Sequence, residues 1–370
     1  MKANSIQDVG VDVAKSVFQI HAVDARGDVV MRRQLKRAQF LPFFAQLPPC
    51  RVGMEACGGA HHWARQLRQY GHAVCLMAPQ FVKPFVKTNK NDRADAEAIV
   101  EAMSRPGMRF VAIKETWQQD MLIIHRVRER MVKARTALMN EIRGLLQEYG
   151  IVFQRGSHHL RAGLLQVLGS PEDRLSDSVQ QLMQHLVEEW TDLDKRLEEC
   201  TFTIGQSYRS HETCRKLGEL PGIGPITATA MVATVGDARV FKNGRQLSAF
   251  FGLVPRHDGT GGKTRMKGLS KRGDRYVRKL LVHGARAVLQ AAEKKPHLRN
   301  RWVLQLSQRR GFNKACCALA NKNARRCWAV LVGREPREVM RATRYPPRAT
   351  RASGPRFPGG SPSIALPLRG

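Results

Sequence analysis

A chain of 370 residues with 42% hydrophobic side chains is long enough for two or three domains with their own cores. Its 62 Lys and Arg against 31 Asp and Glu leave a formal net charge of +31, which points to a polyanionic partner, most commonly nucleic acid. No apolar run approaches the roughly 18 residues needed to span a membrane, and Met1-Lys-Ala-Asn-Ser-Ile-Gln-Asp8 has no signal-peptide apolar stretch, so a cytoplasmic protein without a membrane partner is expected.

Residues 5 to about 110 alternate strand-like and helix-like stretches. Val9–Val13, Val17–Val23 and Val29–Leu35 read as strands, with Ala25-Arg-Gly-Asp28 as a hairpin. A helix near Ala38–Leu47 precedes a strand ending at Glu55. His61–Tyr70 reads as a helix stopped by Gly71, Ala73–Met77 as a strand and Asp92–Ser104 as a helix. That order predicts an α/β sandwich with a mixed sheet.

Residues 116–148 and 176–208 change period. Ile124, Val127, Met131, Ala134, Leu138, Ile142 and Leu145 recur every three or four residues. So do Val179, Leu182, Leu186, Trp190, Leu193, Leu197, Cys200 and Ile204. Two long amphipathic helices joined by a loop are expected, as an antiparallel hairpin that a second copy can coil against.

Leu220-Pro-Gly-Ile-Gly224 lies between helical stretches and matches a helix-hairpin-helix reader of the nucleic-acid backbone. Its Pro221, Gly222, Ile223 and Gly224 would bring main-chain N–H groups to phosphate. Farther on, Arg256 to Arg265 reads as a glycine-rich basic loop, followed by a helix starting near Ser270 as N-cap. Arg256, Lys263, Arg265, Lys267, Lys271, Arg272 and Arg275 supply a phosphate-binding surface. Gly261-Gly-Lys-Thr264 is not a P-loop, because the required first glycine falls at His257 and no apolar strand leads into it. After Gly333 the chain turns to Arg, Pro, Gly and Ser without apolar period, as a disordered tail does.

Four carboxylates carry the chemistry. Asp12 in Asp8-Val-Gly-Val-Asp-Val-Ala-Lys15 and Glu55 in Arg51-Val-Gly-Met-Glu-Ala56 each end a short apolar run. Asp92 and Asp95 in Asn91-Asp-Arg-Ala-Asp-Ala-Glu97 share a helix face. Singly, each reads as a turn residue or a solvated first turn. Gathered, they need a cation, and oxygen ligands at this charge density suit Mg²⁺ or Mn²⁺ in phosphoryl transfer. The eight cysteines include no C-x-x-C pair, and His61-His62 and His158-His159 have no partner at ligand spacing. Both sets read as packing or surface residues rather than zinc sites.

The two blocks together resemble the DEDD-type insertion-sequence transposases (family one-ten in insertion-sequence naming), related to the Piv DNA invertase. The first block is Gly10–Lys15, Met54–Gly58 and Asn91–Ala96. The second is Leu220–Gly224, Phe251-Gly-Leu-Val-Pro-Arg256 and Ser270-Lys-Arg-Gly-Asp274. The resemblance implies a RuvC-like RNase H-fold domain over 1–112, with Asp12, Glu55, Asp92 and Asp95 as catalytic Mg²⁺ ligands. It implies a C-terminal transposase domain as well; with the helices and turn read above, the expected division is a helical coiled-coil hairpin over 113–212 and a mainly helical C-terminal transposase domain with the helix-hairpin-helix over 213–333, leaving 334–370 as tail. A serine nucleophile, a homo-oligomer with composite sites, element and target DNA and a guide RNA are implied with it. Here the position of that serine holds Thr260. Its hydroxyl is the same, but its methyl stiffens χ1. Attack by Thr260, attack by Ser270, and an impaired DNA-binding copy remain three readings, beside a structure-selective endonuclease.

Overall fold

The structure, a computed structural model, describes residues 6–87, 92–169, 175–261, 263–294 and 301–342. Strands β1 (Asp8–Val13), β2 (Val17–Val23) and β3 (Val29–Lys36) form an antiparallel meander. Its β2–β3 turn is closed by Asp24, whose Oδ1 accepts the N–H of Arg26 at 2.8 Å and of Asp28 at 3.0 Å. Strand β4 (Arg51–Glu55) runs parallel to β1, β5 (Ala73–Met77) runs parallel to β4, and the short β6 (Phe110–Val111) closes the edge antiparallel. The order β3-β2-β1-β4-β5-β6 makes a six-stranded mixed sheet, as the alternating pattern predicts.

Period-two alternation gives the sheet two apolar faces. On one, Val9, Val11, Val52 and Met54 pack with Phe18 against α1 (Phe40–Ala45) and α2 (Ala60–Gln69), through Phe40, Phe44 and Trp63. On the other, α3 (Pro79–Val82) and α4 (Asp92–Ser104) bring Val82, Ala98, Ile99, Ala102 and Met103 onto Met77. A short 3-10 turn, Arg37–Gln39, and α1 occupy the stretch expected to be one helix.

The helical middle departs from the expected two-helix hairpin. Helices α5 (Thr116–Gln147) and α7 (Asp177–Ser210) do pack together, but α6 (Ser157–Gly169) fills the intervening stretch and buries Leu160 and Leu164 against Ile142, Leu146 and Trp190. The buried line on α7 is Met183, Trp190, Leu197 and Ile204, a seven-residue spacing. Leu182 faces solvent, as do Val127 and Leu145 on α5, where His125 and Leu146 are the inward residues. The centre of each expected stripe is buried, at Met131, Leu138 and Ile142 and at Trp190, Leu197 and Ile204; only flanking members turn outward, because a three-and-four pattern does not say which of two adjacent apolar rows meets the neighbour.

The C-terminal core is built by α8 (Glu212–Gly218), α9 (Pro225–Val235), α10 (Gly244–Phe250), α11 (Arg275–Lys294), α12 (Arg301–Arg310), α13 (Phe312–Leu331) and α14 (Pro336–Ala342). Between α10 and α11, β7 (Pro255–Thr260) and β8 (Lys263–Leu269) pair antiparallel as a separate two-stranded sheet. The segment expected to be a glycine-rich loop is therefore a hairpin. Nor does Ser270 cap α11. The helix starts at Arg275, and Asp274 accepts the N–H of Val277 at 2.7 Å. The break expected at residue 334 falls inside folded structure, since Val339 of α14 is buried in this core; residues 343–370 lie outside the described residues. Among the described residues no helix is long and apolar enough to cross a membrane, and all eight cysteines are free thiols.

Candidate active site

The acidic set is assembled by two glycines. Gly10 and Asp12 share one face of β1, and Gly53 and Glu55 share the same face of β4, because side chains alternate. The register pairs Val11 with Met54, so Asp12 and Glu55 are the next residues on neighbouring parallel strands. Helix α4 lies on that face with its backbone against Gly10, where a Cβ would overlap the Ala96 carbonyl oxygen and come within 2.7 Å of Val100 Cγ2. A Cβ at Gly53 would stand 2.9 Å from Met103 Sδ and 3.0 Å from Ile99 Cγ2. The rows of α4 over the two strands are thus Ala96–Val100 and Ile99–Met103. One helical turn earlier, these rows begin at Asp92 and Asp95.

Electrostatics records the convergence. The half-buried Glu55 carboxyl is pushed above its ordinary range by burial first, then by the negative charges of Asp12 and Asp95. The neighbouring Cys57 thiol is raised mainly by burial, and further by Glu55 and Asp12. Asp12 and Asp95 therefore both act on Glu55. Asp92 is the first residue of α4, but its side chain lies outside the described residues. Among the described residues no group of three His, Cys, Asp or Glu is drawn close enough to hold a metal ion. Mutually repelling carboxylates, loosely gathered and rich in oxygen, are the donor set that a hard divalent cation tightens.

The other expected residues belong to the C-terminal core. Thr260 is the last residue of β7, opposite Lys263 at the hairpin tip, before Gly261 with φ of +58°. The side chains of Thr260 and Lys263 lie outside the described residues. Arg256 and Arg265 are exposed on the hairpin, and Lys267 pairs with Asp258 across it. Lys271, with φ of +54°, and Arg272 are exposed in the turn before α11. In the Leu220–Gly224 turn, Pro221 and Gly224 are exposed, while Ile223 is a core residue and Gly222 packs on the backbone of Gly284. Helix α9 begins with Pro225 at its first position, and Gly224 precedes it as N-cap.

Sequence reasoning passed over two kinds of residue. Gly10 and Gly53 set the approach of α4, and the repeated Gly-x-acid signature at the two strand ends was the available signal. His125 is buried at 1% exposure, with Nδ1 3.0 Å from the Tyr276 hydroxyl and Nε2 3.0 Å from Thr229 Oγ1. Nothing in its local pattern distinguishes it from a surface histidine.

Comparison with known proteins covers both blocks. Residues 9–151 match the transposase family model of the DEDD type, and residues 214–302 match that described as the transposase IS116/IS110/IS902 family. A protein of Pseudomonas aeruginosa named "Probable family 20 transposase" is 50% identical over 88% of this chain and 97% of its own length. The transposase for insertion sequence element IS1111A of Coxiella burnetii is 44% identical over 89% of this chain and 91% of its own length. That for element IS1328 of Yersinia enterocolitica is 40% identical over 87% and 96%. With the acidic and C-terminal blocks both matched in the same order, the chain belongs to the IS110-type family of DEDD transposases.

Proposed function

We propose that the protein is an insertion-sequence transposase that cuts and exchanges DNA strands by phosphoryl transfer, with a RuvC-like, RNase H-type N-terminal domain. The observation that supports this is the arrangement of Asp12, Glu55 and Asp95 on the face where two strand glycines admit α4, with the Glu55 carboxyl raised by burial first and then by Asp12 and Asp95. Asp12, Glu55, Asp92 and Asp95 would hold Mg²⁺, or Mn²⁺ in its place, which supplies charge neutralisation and Lewis acidity towards phosphate oxygens. Thr260 provides the hydroxyl nucleophile. Its oxygen forms a phosphodiester with one strand while the displaced strand leaves on its own oxygen, and attack by the incoming strand's hydroxyl restores the threonine. Exposed Arg256, Arg265, Lys271 and Arg272 hold backbone phosphates around that hairpin. An element-encoded guide RNA and a homo-oligomer that composes the site from two copies complete the reading. The separate sheets of the acidic set and Thr260 are what such composition accommodates.

The test incubates wild type, Thr260→Ser, Thr260→Ala and Asp12→Asn with labelled element-junction DNA, candidate guide RNA and Mg²⁺, then resolves products on a denaturing gel. A protein–DNA adduct in wild type and Thr260→Ser that is absent from Thr260→Ala and Asp12→Asn is expected. Free cut ends without any adduct would favour a structure-selective endonuclease in which water attacks. Salt-sensitive binding without cutting would mark a DNA-binding copy.

A further inference from the structure

Apart from the hairpin and the Pro-Gly turn, a line of basic groups runs along α2 and across to α5. It lies on the face of the sheet covered by α1 and α2, opposite the face that carries α4 and the acidic set. Arg37 lies with its guanidinium over Trp63, 4.7 Å from the ring centroid, which fixes the cation against an aromatic face. Next to it are His62 and Arg65 on α2; the His62 pKa is lowered by burial, then by Arg65 and Arg37. Arg65 donates to the Lys114 carbonyl at 2.5 Å, tying α2 to the segment that leads into α5. The Lys114 pKa is lowered by burial first and then by Arg126 of α5, and is raised by Asp274, the cap of α11. Among the described residues Arg37, Arg65, Lys114 and Arg126 form no salt bridge.

The proton inventory at the centre of this line is informative. The main-chain N–H of Lys114 donates to His61 Nδ1 at 3.2 Å. Burial, then Lys114 and Arg65, push the His61 pKa down to about 4, so the ring is neutral near pH 7 and carries its proton on Nε2. That Nε2 stands 3.3 Å from Lys114 Nζ, which is itself a donor when charged. When Lys114 is charged, two donors face each other with no acceptor between them, and burial and Arg126, which lower the Lys114 pKa, disfavour that state. An oxyanion satisfies both at once.

We propose that Arg37, His62, Arg65, Lys114 and Arg126, with His61, form a phosphate-binding seam that carries the backbone of a nucleic-acid strand along α2 towards the cap of α11. The partner is a phosphodiester chain, because the cations are spaced in a line rather than closed around one anion, and the excess charge is matched by a polyanion. The inference rests on the nucleic-acid reading above and adds a second surface to it.

Binding of fluorescein-labelled single-stranded DNA, duplex DNA and an RNA hairpin is measured against salt concentration. The compared proteins are wild type, the triple variant Arg37→Gln/Lys114→Gln/Arg126→Gln, and a control that removes equal charge from the exposed long helices, Lys133→Gln/Lys195→Gln/Arg196→Gln. Each lost phosphate contact lowers the log–log salt slope by about 0.9 on duplex and about 0.7 on single strands. The seam variant loses roughly two to three units of slope on at least one probe, and the probe with the largest loss names the strand. The control keeps its slope. Arg37→Lys/Arg126→Lys also keeps it, and matched melting temperatures exclude misfolding as the cause. Equal slope losses in seam and control variants, or none on any probe, overturn the seam. Seam-dependent binding without cut or joined DNA would instead leave the seam standing and remove the recombinase reading.

Discussion

Gly10 and Gly53 are the residues on which the acidic set depends most directly, yet neither carries chemistry. At Gly10 the obstacle to a side chain is the backbone of α4, which cannot rotate aside. At Gly53 it is mainly the flexible end of Met103. Gly10→Ala is therefore expected to destabilise the protein by about 1–3 kcal/mol or more in urea unfolding, through overpacking, and to cost more than Gly53→Ala. A smaller effect at Gly10 than at Gly53 would mean that α4 does not rest on β1. The carboxylates themselves oppose folding when uncompensated. Glu55, raised above its ordinary range, disfavours the folded state as pH rises through the carboxylate range, because the folded protein then releases its proton later than the unfolded chain. Glu55→Gln should thus melt higher than wild type without divalent cation. Excess Mg²⁺ should raise the melting temperature of wild type but not of the variant, a readout that needs no DNA. The acidic residues were legible because each ends an apolar run. The glycines' role was not, since it is a contact with α4 some ninety residues from Gly10 and some fifty from Gly53, which no local pattern records.

Whole elements were legible where one period dominates. The strands of the mixed sheet, α2, α4 and the long helices α5 and α7 follow from alternation, glycine stops and apolar recurrence. The sequence concealed α6, whose apolar residues form a short unpartnered run until Ile142, Leu146 and Trp190 cover them. It also concealed α14, in which, among the described residues, only Pro336, Val339 and, in part, Met340 are buried within an Arg-rich stretch. The basic hairpin read as a loop because Gly259, Gly261 and Gly262 are poor strand formers, whereas cross-strand pairing from Pro255 to Leu269 overrides propensity. Packing of α6 is directly testable. Leu160→Ala, at a fully buried position, should cost about 2–5 kcal/mol, while Leu165→Ala, 66% exposed, should stay within about 0.5 kcal/mol. Hydrogen exchange along α5 and α7 separates the two, and equal effects would place α6 off the helical core.

At the scale of the molecule, the C-terminal core and the long helices are joined through a polar chain as well as through apolar contact. Thr229 of α9 donates to the Pro225 carbonyl at 2.8 Å, which leaves its oxygen to accept from His125 Nε2–H. His125 Nδ1 is then the acceptor for the Tyr276 hydroxyl of α11. Tyr276, His125, Thr229 and Pro225 thus form one directed chain, from α11 through α5 to the first turn of α9, and it requires neutral histidine. Burial, then Arg128, hold the His125 pKa down at about 4, against an ordinary value near 6.5. Between those values the unfolded chain binds the proton that the folded protein refuses, so stability increases with pH across the window. Its contribution is full above about 6.5 and is lost as pH falls towards 4, on the order of 3 kcal/mol in total. His125→Gln can keep a donor and an acceptor but no longer titrates. It should therefore flatten the pH dependence of unfolding between pH 4 and 6.5 relative to wild type. Unfolding curves with the same pH slope in both proteins would show that the chain does not join these helices.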